Sequence, residues 1–220
     1  MFDNMSEFYK CLIKRVDGPD KQANSVSLED VGKLKLTDDL CQDILNCLNS
    51  DKDVDVKFGI FFCEGLAKAE QLNSLSKQWM QQFAQAFERL LKHNSGQVRG
   101  GATALITQFQ SYYLDYRGLM LRCLQDSSSS VRSAALNAYR SYLHPKEIQP
   151  LLPFQEDSYA METSMNGPLV YALRNRAIEI IEELLQKKFP KCELTAALDG
   201  DTVFWWDWKP FLDWWNHQQV

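Results

Sequence analysis

Histidine and closely spaced cysteines are scarce in this sequence of 220 residues. There are three histidines and six cysteines, and no Cys-x-x-Cys pair occurs, so the ligand spacing of common zinc and redox motifs is absent. The sequence also lacks a P-loop, a Gly-x-Ser-x-Gly motif and a dinucleotide fingerprint. We therefore predict no metal, no cofactor and no catalytic activity. The cysteines stand mostly among apolar residues, where we expect free thiols that pack as small hydrophobic groups.

Turn residues and long apolar runs are also few. Ten glycines and seven prolines are a low number for an all-β fold built on tight turns. No stretch approaches the roughly 18 apolar residues of a membrane span, and the first residues lack the basic and apolar parts of a signal peptide. The acidic stretch 199–202 lacks the glycine and glutamate positions of a calcium loop. We expect a cytoplasmic protein without a membrane partner or an ion site.

Charge of one sign is in small excess and is unevenly spread. The formal net charge is −5, and counting Lys and Arg against Asp and Glu gives −3 for residues 1–50, +1 for 51–110, +2 for 111–150 and −5 for 151–220. A protein that binds nucleic acid usually carries a strong basic surplus on one face. The distribution therefore argues against a nucleic-acid partner.

Apolar and aromatic residues are plentiful. They include twelve Phe and six Trp, and 45% of the chain is hydrophobic. This composition is typical of a packed globule, and the length fits one domain better than two.

An apolar pattern with helical spacing occurs four times. Its anchors are Val56, Val98, Val131 and Leu173, which are 42, 33 and 42 residues apart, within the range of helical-hairpin repeats. Each anchor is followed by a basic residue and by apolar residues at +4, +7 and +11, which mark one buried stripe of an α-helix. Small residues at +3 in the first three copies would let neighbouring helices approach closely; these are Gly59, Gly101 and Ala134.

A second helix should precede each of these four. Its last strong apolar residue is Leu48, Leu91, Leu124 or Met165, seven or eight positions before the anchor. The residues in between are capping and turn formers, and short loops make neighbouring helices antiparallel. The sequence therefore predicts four helical hairpins.

These hairpins resemble the HEAT repeat family, because the second helix opens with Val-Arg and an Asp lies nearby in two copies. The resemblance covers residues 37–188 and implies an all-α solenoid of about four antiparallel hairpins in a single domain. It also implies that the bases align as a ladder between repeats; these are Lys57, Arg99, Arg132 and Arg174. Residues 1–36, with helices expected near 4–16 and 27–34, and residues 189–220 would cap the two ends, as a solenoid requires.

The C-terminal segment is rich in tryptophan. Asp207 is an expected N-cap, and a helix from Trp208 would align four apolar residues on one face: Trp208, Phe211, Leu212 and Trp215. This stripe is interpreted as a cap on the end of the solenoid. The alternative is that some rings contact a partner, because Trp is enriched in binding hot spots. Trp214, which projects away from the stripe, is the first candidate for such a contact.

The sequence favours a non-enzymatic scaffold, adaptor or inhibitor that is a monomer alone and binds a protein through the second helices of its hairpins. The predicted partner-binding residues are Arg99, Arg132, Asn137, Arg140 and Trp214. One alternative is an immunity-type inhibitor of a bacterial toxin. Another is an alkylpurine DNA glycosylase of HEAT-like fold, in which Trp206, Asp207 and Trp208 would supply the aromatic rings and the carboxylate.

Overall fold

A computed structural model describes residues 27–140, 147–162, 168–198 and 200–218. The predicted helix over residues 4–16 lies outside them. The structure is mostly helical, at 66%, as the sequence predicted, but it also contains a four-stranded sheet. The chain divides into two compact units, Met1–Leu119 and Met120–Val220.

The first unit is helical throughout its described part. Thr37, Ser76 and Ser95 act as N-caps, because their hydroxyl oxygens accept the backbone N–H groups of the residues three positions on. The predicted turns thus separate the helices of two hairpins. The helices are α1 (Leu28–Gly32), α2 (Asp38–Leu48), α3 (Asp53–Lys68), α4 (Lys77–Leu90) and α5 (Gly96–Ile106), with 3-10 turns at Gln71–Ser74 and Thr107–Tyr112.

These helices pack on one another as neighbouring hairpins would. Helix α3 contacts its hairpin partner α2 and also α5, the second helix of the next hairpin, while α2 contacts α4. Glycines mark two close approaches. A methyl group on Gly59 would lie 2.8 Å from Leu48 Cγ, and one on Gly101 would lie 2.6 Å from Ile60 Cγ2. The predicted role of these glycines is therefore confirmed, while the solenoid arrangement of the whole chain stays a prediction.

Gly59→Ala should lower the stability, although alanine is normally about 1 kcal/mol better than glycine inside a helix. The new methyl would meet the Leu48 side chain and lie 3.0 Å from its backbone nitrogen, which cannot easily move. We expect a net loss of about 1–3 kcal/mol in the free energy of unfolding, measured by urea titration. Lys57→Ala, at an exposed position of the same helix, is the control and should change it by less than about 0.5 kcal/mol. A more stable Gly59→Ala protein would contradict the close approach.

The second unit mixes helices and strands. Helix α6 (Tyr116–Cys123) crosses the boundary between the units in the sequence. The further elements are α7 (Ser129–Tyr139), a 3-10 segment (Gln149–Glu156), β1 (Ala160–Glu162), β2 (Leu169–Tyr171), α8 (Ala172–Leu185), β3 (Glu193–Leu198), β4 (Asp201–Trp206) and α9 (Lys209–Gln218).

The prediction of an all-α fold is wrong, because the four strands form one sheet in the order β1-β2-β4-β3. Strands β1 and β2 are antiparallel, β2 and β4 are parallel, and β3 and β4 form an antiparallel hairpin. Gly200, at φ +90°, occupies the hairpin turn. The physical reason lies in β4, whose Thr-Val-Phe-Trp-Trp run consists of residues that favour strands. Helix α8 packs against β4 and β2.

In the described residues, the fourth predicted hairpin shows its second helix but no α-helix before it. Leu173 begins a buried stripe on α8 as predicted, and Ala177 and Ile180 continue it. Met165, where the first helix was expected to end, lies outside the described residues, and the described residues before it form the 3-10 segment and β1. Pro153 lies inside that segment, and proline cannot donate the backbone hydrogen bond of an α-helix.

Helix α9 anchors the C-terminal end of the second unit. Asp207 Oδ1 accepts the Lys209 N–H at 2.9 Å, so the predicted cap is present. Phe211 is fully buried, and its ring meets Phe189 edge-on at 5.4 Å. Trp208 is also buried, whereas Leu212 and Trp215 are half-buried, so the predicted stripe is narrower than expected.

Candidate interaction site

Arg99 and Arg132 hold the turns that precede their own helices. Arg99 Nη1 donates to the carbonyl oxygens of His93 and Asn94 at 2.8 and 3.0 Å. Arg132 Nη1 donates in the same way to Asp126 and Ser127, at 2.9 Å in both cases. Both arginines therefore satisfy carbonyl groups of the hairpin turns, which is a structural function.

Asp157 contacts two of the four basic residues of the predicted ladder. Its Oδ2 atom pairs with Arg132 Nε at 2.7 Å, and the two side chains are only 7% and 17% exposed. Its carbonyl oxygen accepts from Arg174 Nε at 2.5 Å, and its Oδ1 atom accepts the Tyr159 N–H at 3.0 Å. The sequence analysis missed Asp157 because it lies in a 3-10 exit with no helical pattern around it.

The Arg174 guanidinium also stacks on aromatic rings. Its Cζ atom lies 4.1 Å from the centre of the Tyr171 ring and 5.2 Å from that of Trp205. The two ring centres are 5.3 Å apart. Arg132 and Asp157 additionally line a cleft of about 260 Å³, together with Leu124, Gln125, Pro153 and Phe154.

Asn137 on α7 and Arg140, the C-cap residue of the same helix, are exposed, as the prediction of a binding face requires. Arg140 Nε pairs with Glu183 Oε2 of α8 at 2.6 Å, with the two side chains 49% and 39% exposed. Such an exposed pair contributes about 0–1 kcal/mol, so Arg140 is available to a partner at small cost.

Trp214 is half-buried at the C-terminal end of the second unit. Its ring centre lies 5.5 Å from that of Phe189, and Lys187 Nζ lies 4.9 Å above its ring. Trp208 is buried, and Asp207 caps α9, so two of the three residues considered for DNA glycosylase chemistry have structural contacts.

Glu182 is a buried carboxylate at the end of α8. Burial alone would raise its pKa, but the Phe189 N–H, at 2.9 Å, and Lys188 Nζ, at 3.0 Å, hold the pKa below the usual value. Lys191 Nζ adds an ion pair at 3.6 Å. The group thus stays charged and fixes the loop that follows the helix.

Metal-ligating groups and buried thiols are the residues on which metal or thiol chemistry would depend. The described residues contain no group of three or more His, Cys, Asp or Glu side chains placed to hold a metal ion. Burial and the Asp38 charge raise the pKa of Cys41 to about 11, and burial above all raises that of Cys63 as well. Protonated thiols are poor nucleophiles. Within the same part of the chain, no helix has the length and apolar character needed to cross a bilayer.

One face of the sheet is apolar and accessible. Met161, Val170, Phe204 and Thr195 are successive partners across the four strands, and therefore point to the same side. Val203, one position before Phe204, points to the opposite side and is fully buried. We call this accessible side the outer face of the sheet. It also includes Tyr159, two positions before Met161, and Trp206, two positions after Phe204.

Exposed large hydrophobic side chains concentrate at this sheet. Four such side chains occur in the described part of the chain: Leu114 at 109%, Met161 at 44%, and Tyr159 and Leu194 at 37% each. Three of them lie on the two edge strands or directly before them. The sequence analysis missed this surface because it predicted no strands, although the run of β-branched and aromatic residues in Asp201–Trp206 was a usable signal.

The predicted partner-binding residues do not share one contact network in the structure. Asn137 lies on helix α7 and Arg140 at its C-cap, Arg132 is occupied by Asp157, and Trp214 packs on Phe189. Comparison with known proteins gave no match to a family model, to a curated protein or to a solved structure.

Proposed function

We propose that the protein is a non-enzymatic protein-binding module, an adaptor or an inhibitor, that contacts its partner through the outer face of its sheet. The observation that carries the proposal is the exposure of Tyr159 and Met161 on this face, beside the half-buried Val170 and Phe204. Leu194 is exposed as well, but it pairs with Trp205 and therefore points to the opposite side of the sheet. Large apolar side chains that gather on an otherwise polar surface are typical of interaction sites.

The composition of the outer face supports a protein partner. Its core combines Val170, Phe204 and Trp206, all half-buried, with Met161 at the edge. Aromatic residues and Met are enriched in protein interfaces, and Trp is frequent among hot spots.

Charge indicates what kind of protein would bind. Residues 151–220, which contain the whole sheet, carry a formal net charge of −5. Complementary charge favours a basic partner and speeds its association. An immunity-type inhibitor of a basic bacterial toxin is one form of this proposal, and the HEAT-like resemblance of the helical hairpins is compatible with it.

The partner-binding residues predicted on the helices differ in how accessible they are to a partner. Asn137 and Arg140 stay candidates for a second contact, because they are exposed on α7 and at its C-cap. Arg99 and Arg132 would contribute only what their turn contacts leave accessible. Trp214 would contribute one half-buried ring edge.

Site-specific photo-crosslinking tests the proposal. A photoreactive phenylalanine analogue is placed at Met161 on the outer face, at Asn137 on α7, or at the exposed Lys57 as control, and the protein is irradiated in extract of its source cells. We expect one specific adduct from position 161 and none from position 57. An adduct from position 137 alone would move the site to α7, and equal labelling at all three positions would contradict a defined interface.

A further inference from the structure

The guanidinium group of Arg174 is fixed in position but only partly used. Its Nε atom donates to the Asp157 carbonyl oxygen, and its plane lies against Tyr171 and Trp205. In the described part of the chain, no hydrogen bond or ion pair takes its two terminal amino groups. These groups are open to an acceptor that the described residues do not supply.

The guanidinium group of Arg132 is also only partly hydrogen-bonded. Its Nε and Nη1 atoms are engaged by Asp157, Asp126 and Ser127, while Nη2 has no acceptor among the residues that the structure describes. The Asp157 oxygens accept from Arg132, Arg174 and the Tyr159 N–H. The Asp157 carboxylate pairs with Arg132 alone, whereas Arg174 binds the backbone carbonyl of the same residue, so the Arg174 charge has no carboxylate partner among the described residues.

A guanidinium that is already oriented loses little freedom when it binds. Stacking on Tyr171 and Trp205 fixes the plane of the Arg174 fork, and the bond to Asp157 fixes its rotation. A planar fork with two parallel donors matches the oxygens of a carboxylate or a phosphate. A role in stacking alone would not require the terminal amino groups of Arg174 to remain without an acceptor.

We infer that Arg174 and Arg132 form a binding site for an oxyanion with at least two oxygens, a carboxylate or a phosphate. Arg174 supplies the fork, and Arg132 adds charge. The cleft of about 260 Å³ beside Arg132 and Asp157 has apolar walls from Leu124, Pro153 and Phe154, which suit the organic part of such a ligand. The site is independent of the outer face of the sheet and of the protein partner proposed for it.

Nuclear magnetic resonance of the arginine side chains tests this site. Protein labelled with nitrogen-15 is titrated with inorganic phosphate, with acetate, and with N-acetylglutamate amide as a stand-in for a protein side chain, at constant ionic strength. We expect a saturable shift of the Arg174 Nε–H signal and of the Trp205 indole, with a Kd on the order of millimolar. Saturation by phosphate alone identifies a phosphate ligand, and saturation by the carboxylates alone identifies an acidic group.

Variants separate a specific site from general attraction. Arg174→Gln should weaken binding at least tenfold, and Arg174→Lys, which keeps the charge but loses the fork, should weaken it several-fold. Arg176→Gln is the matched control, because Arg176 lies on the same helix and its Nη1 atom pairs with Glu179 at 3.5 Å. It should change the Kd less than twofold. If Arg174→Gln fails to fold, the anion affinity of Arg174→Lys is the measurement that tests the inference. Absence of saturation with all three anions, or undiminished binding by Arg174→Lys, would overturn the inference.

Discussion

Replacing Phe211 with alanine is expected to lower the free energy of unfolding by about 3–5 kcal/mol, the usual range for a buried aromatic ring. The Phe211 side chain is 0% exposed and meets Phe189 at 5.4 Å and Trp208 at 6.1 Å between ring centres. Its removal would leave a cavity between α9 and the loop after α8. Urea unfolding followed by far-UV circular dichroism measures the loss.

Trp215→Ala is the matched control in the same helix. Its ring is half-buried and lies 6.1 Å from Phe211, so we expect a loss of about 1–2 kcal/mol. The relative size of the two stability losses tests whether α9 is anchored as a cap through Phe211. If Phe211→Ala lost less than Trp215→Ala, helix α9 would not be anchored through Phe211.

Arg132→Ala is the second change with a large expected effect. It would leave the Asp157 carboxylate, 7% exposed, without its charged partner, and removing one member of a buried pair typically costs about 3–5 kcal/mol. The Asp126 and Ser127 carbonyl groups would also lose a donor. The melting temperature should fall together with the free energy of unfolding.

A double-mutant cycle isolates the pair. Arg132→Ala in an Asp157→Ala background should cost clearly less than in the wild-type protein, because the buried carboxylate is then absent. Arg140→Ala, at the C-cap of the same helix but in an exposed pair, should cost less than about 1 kcal/mol. A cost for Arg132→Ala as small as that for Arg140→Ala would mean that Arg132 serves the surface and not the fold.

The helical part of the fold could be predicted because its signals are local. The helix expected to end at Leu48 does so, and the anchors Val56, Val98 and Val131 lie on buried stripes. Apolar spacing, serine caps and short turns all act within a few residues of one another. The small residue at Gly59 also predicted a close approach between neighbouring helices, which is found against Leu48.

The sheet could not be found with the same signals. The Asp199-Gly200 dipeptide is typical of a two-residue hairpin turn, but the sequence analysis tested this stretch only against a calcium loop, which it did not predict. The parallel pairing of Val170 with Phe204 joins positions far apart in the sequence, so no local pattern specifies it. Tyr159 and Met161 were missed because they lie at an edge strand, and an edge strand can be recognised only once the strands beside it are known.

The candidate sites divide in the same way. Arg132 and Arg174 were found as members of a basic series with helical spacing. Their partner Asp157 and the rings of Tyr171 and Trp205 were not, since they meet only when β2 and β4 lie side by side. Residue types and spacing identified the bases, and the tertiary structure determined what they bind.

The parallel pairing of β2 with β4 has a consequence for how fast the second unit forms. Val170 must find Phe204, 34 positions later, across helix α8 and the whole of β3, whereas helical hairpins close over a few residues. Non-local pairings of this kind slow folding, because the entropy of closing the loop is lost before the contacts form. We therefore expect the outer face to form after the helices, so that a chain with only its helices folded still has the strands of the proposed interface unpaired.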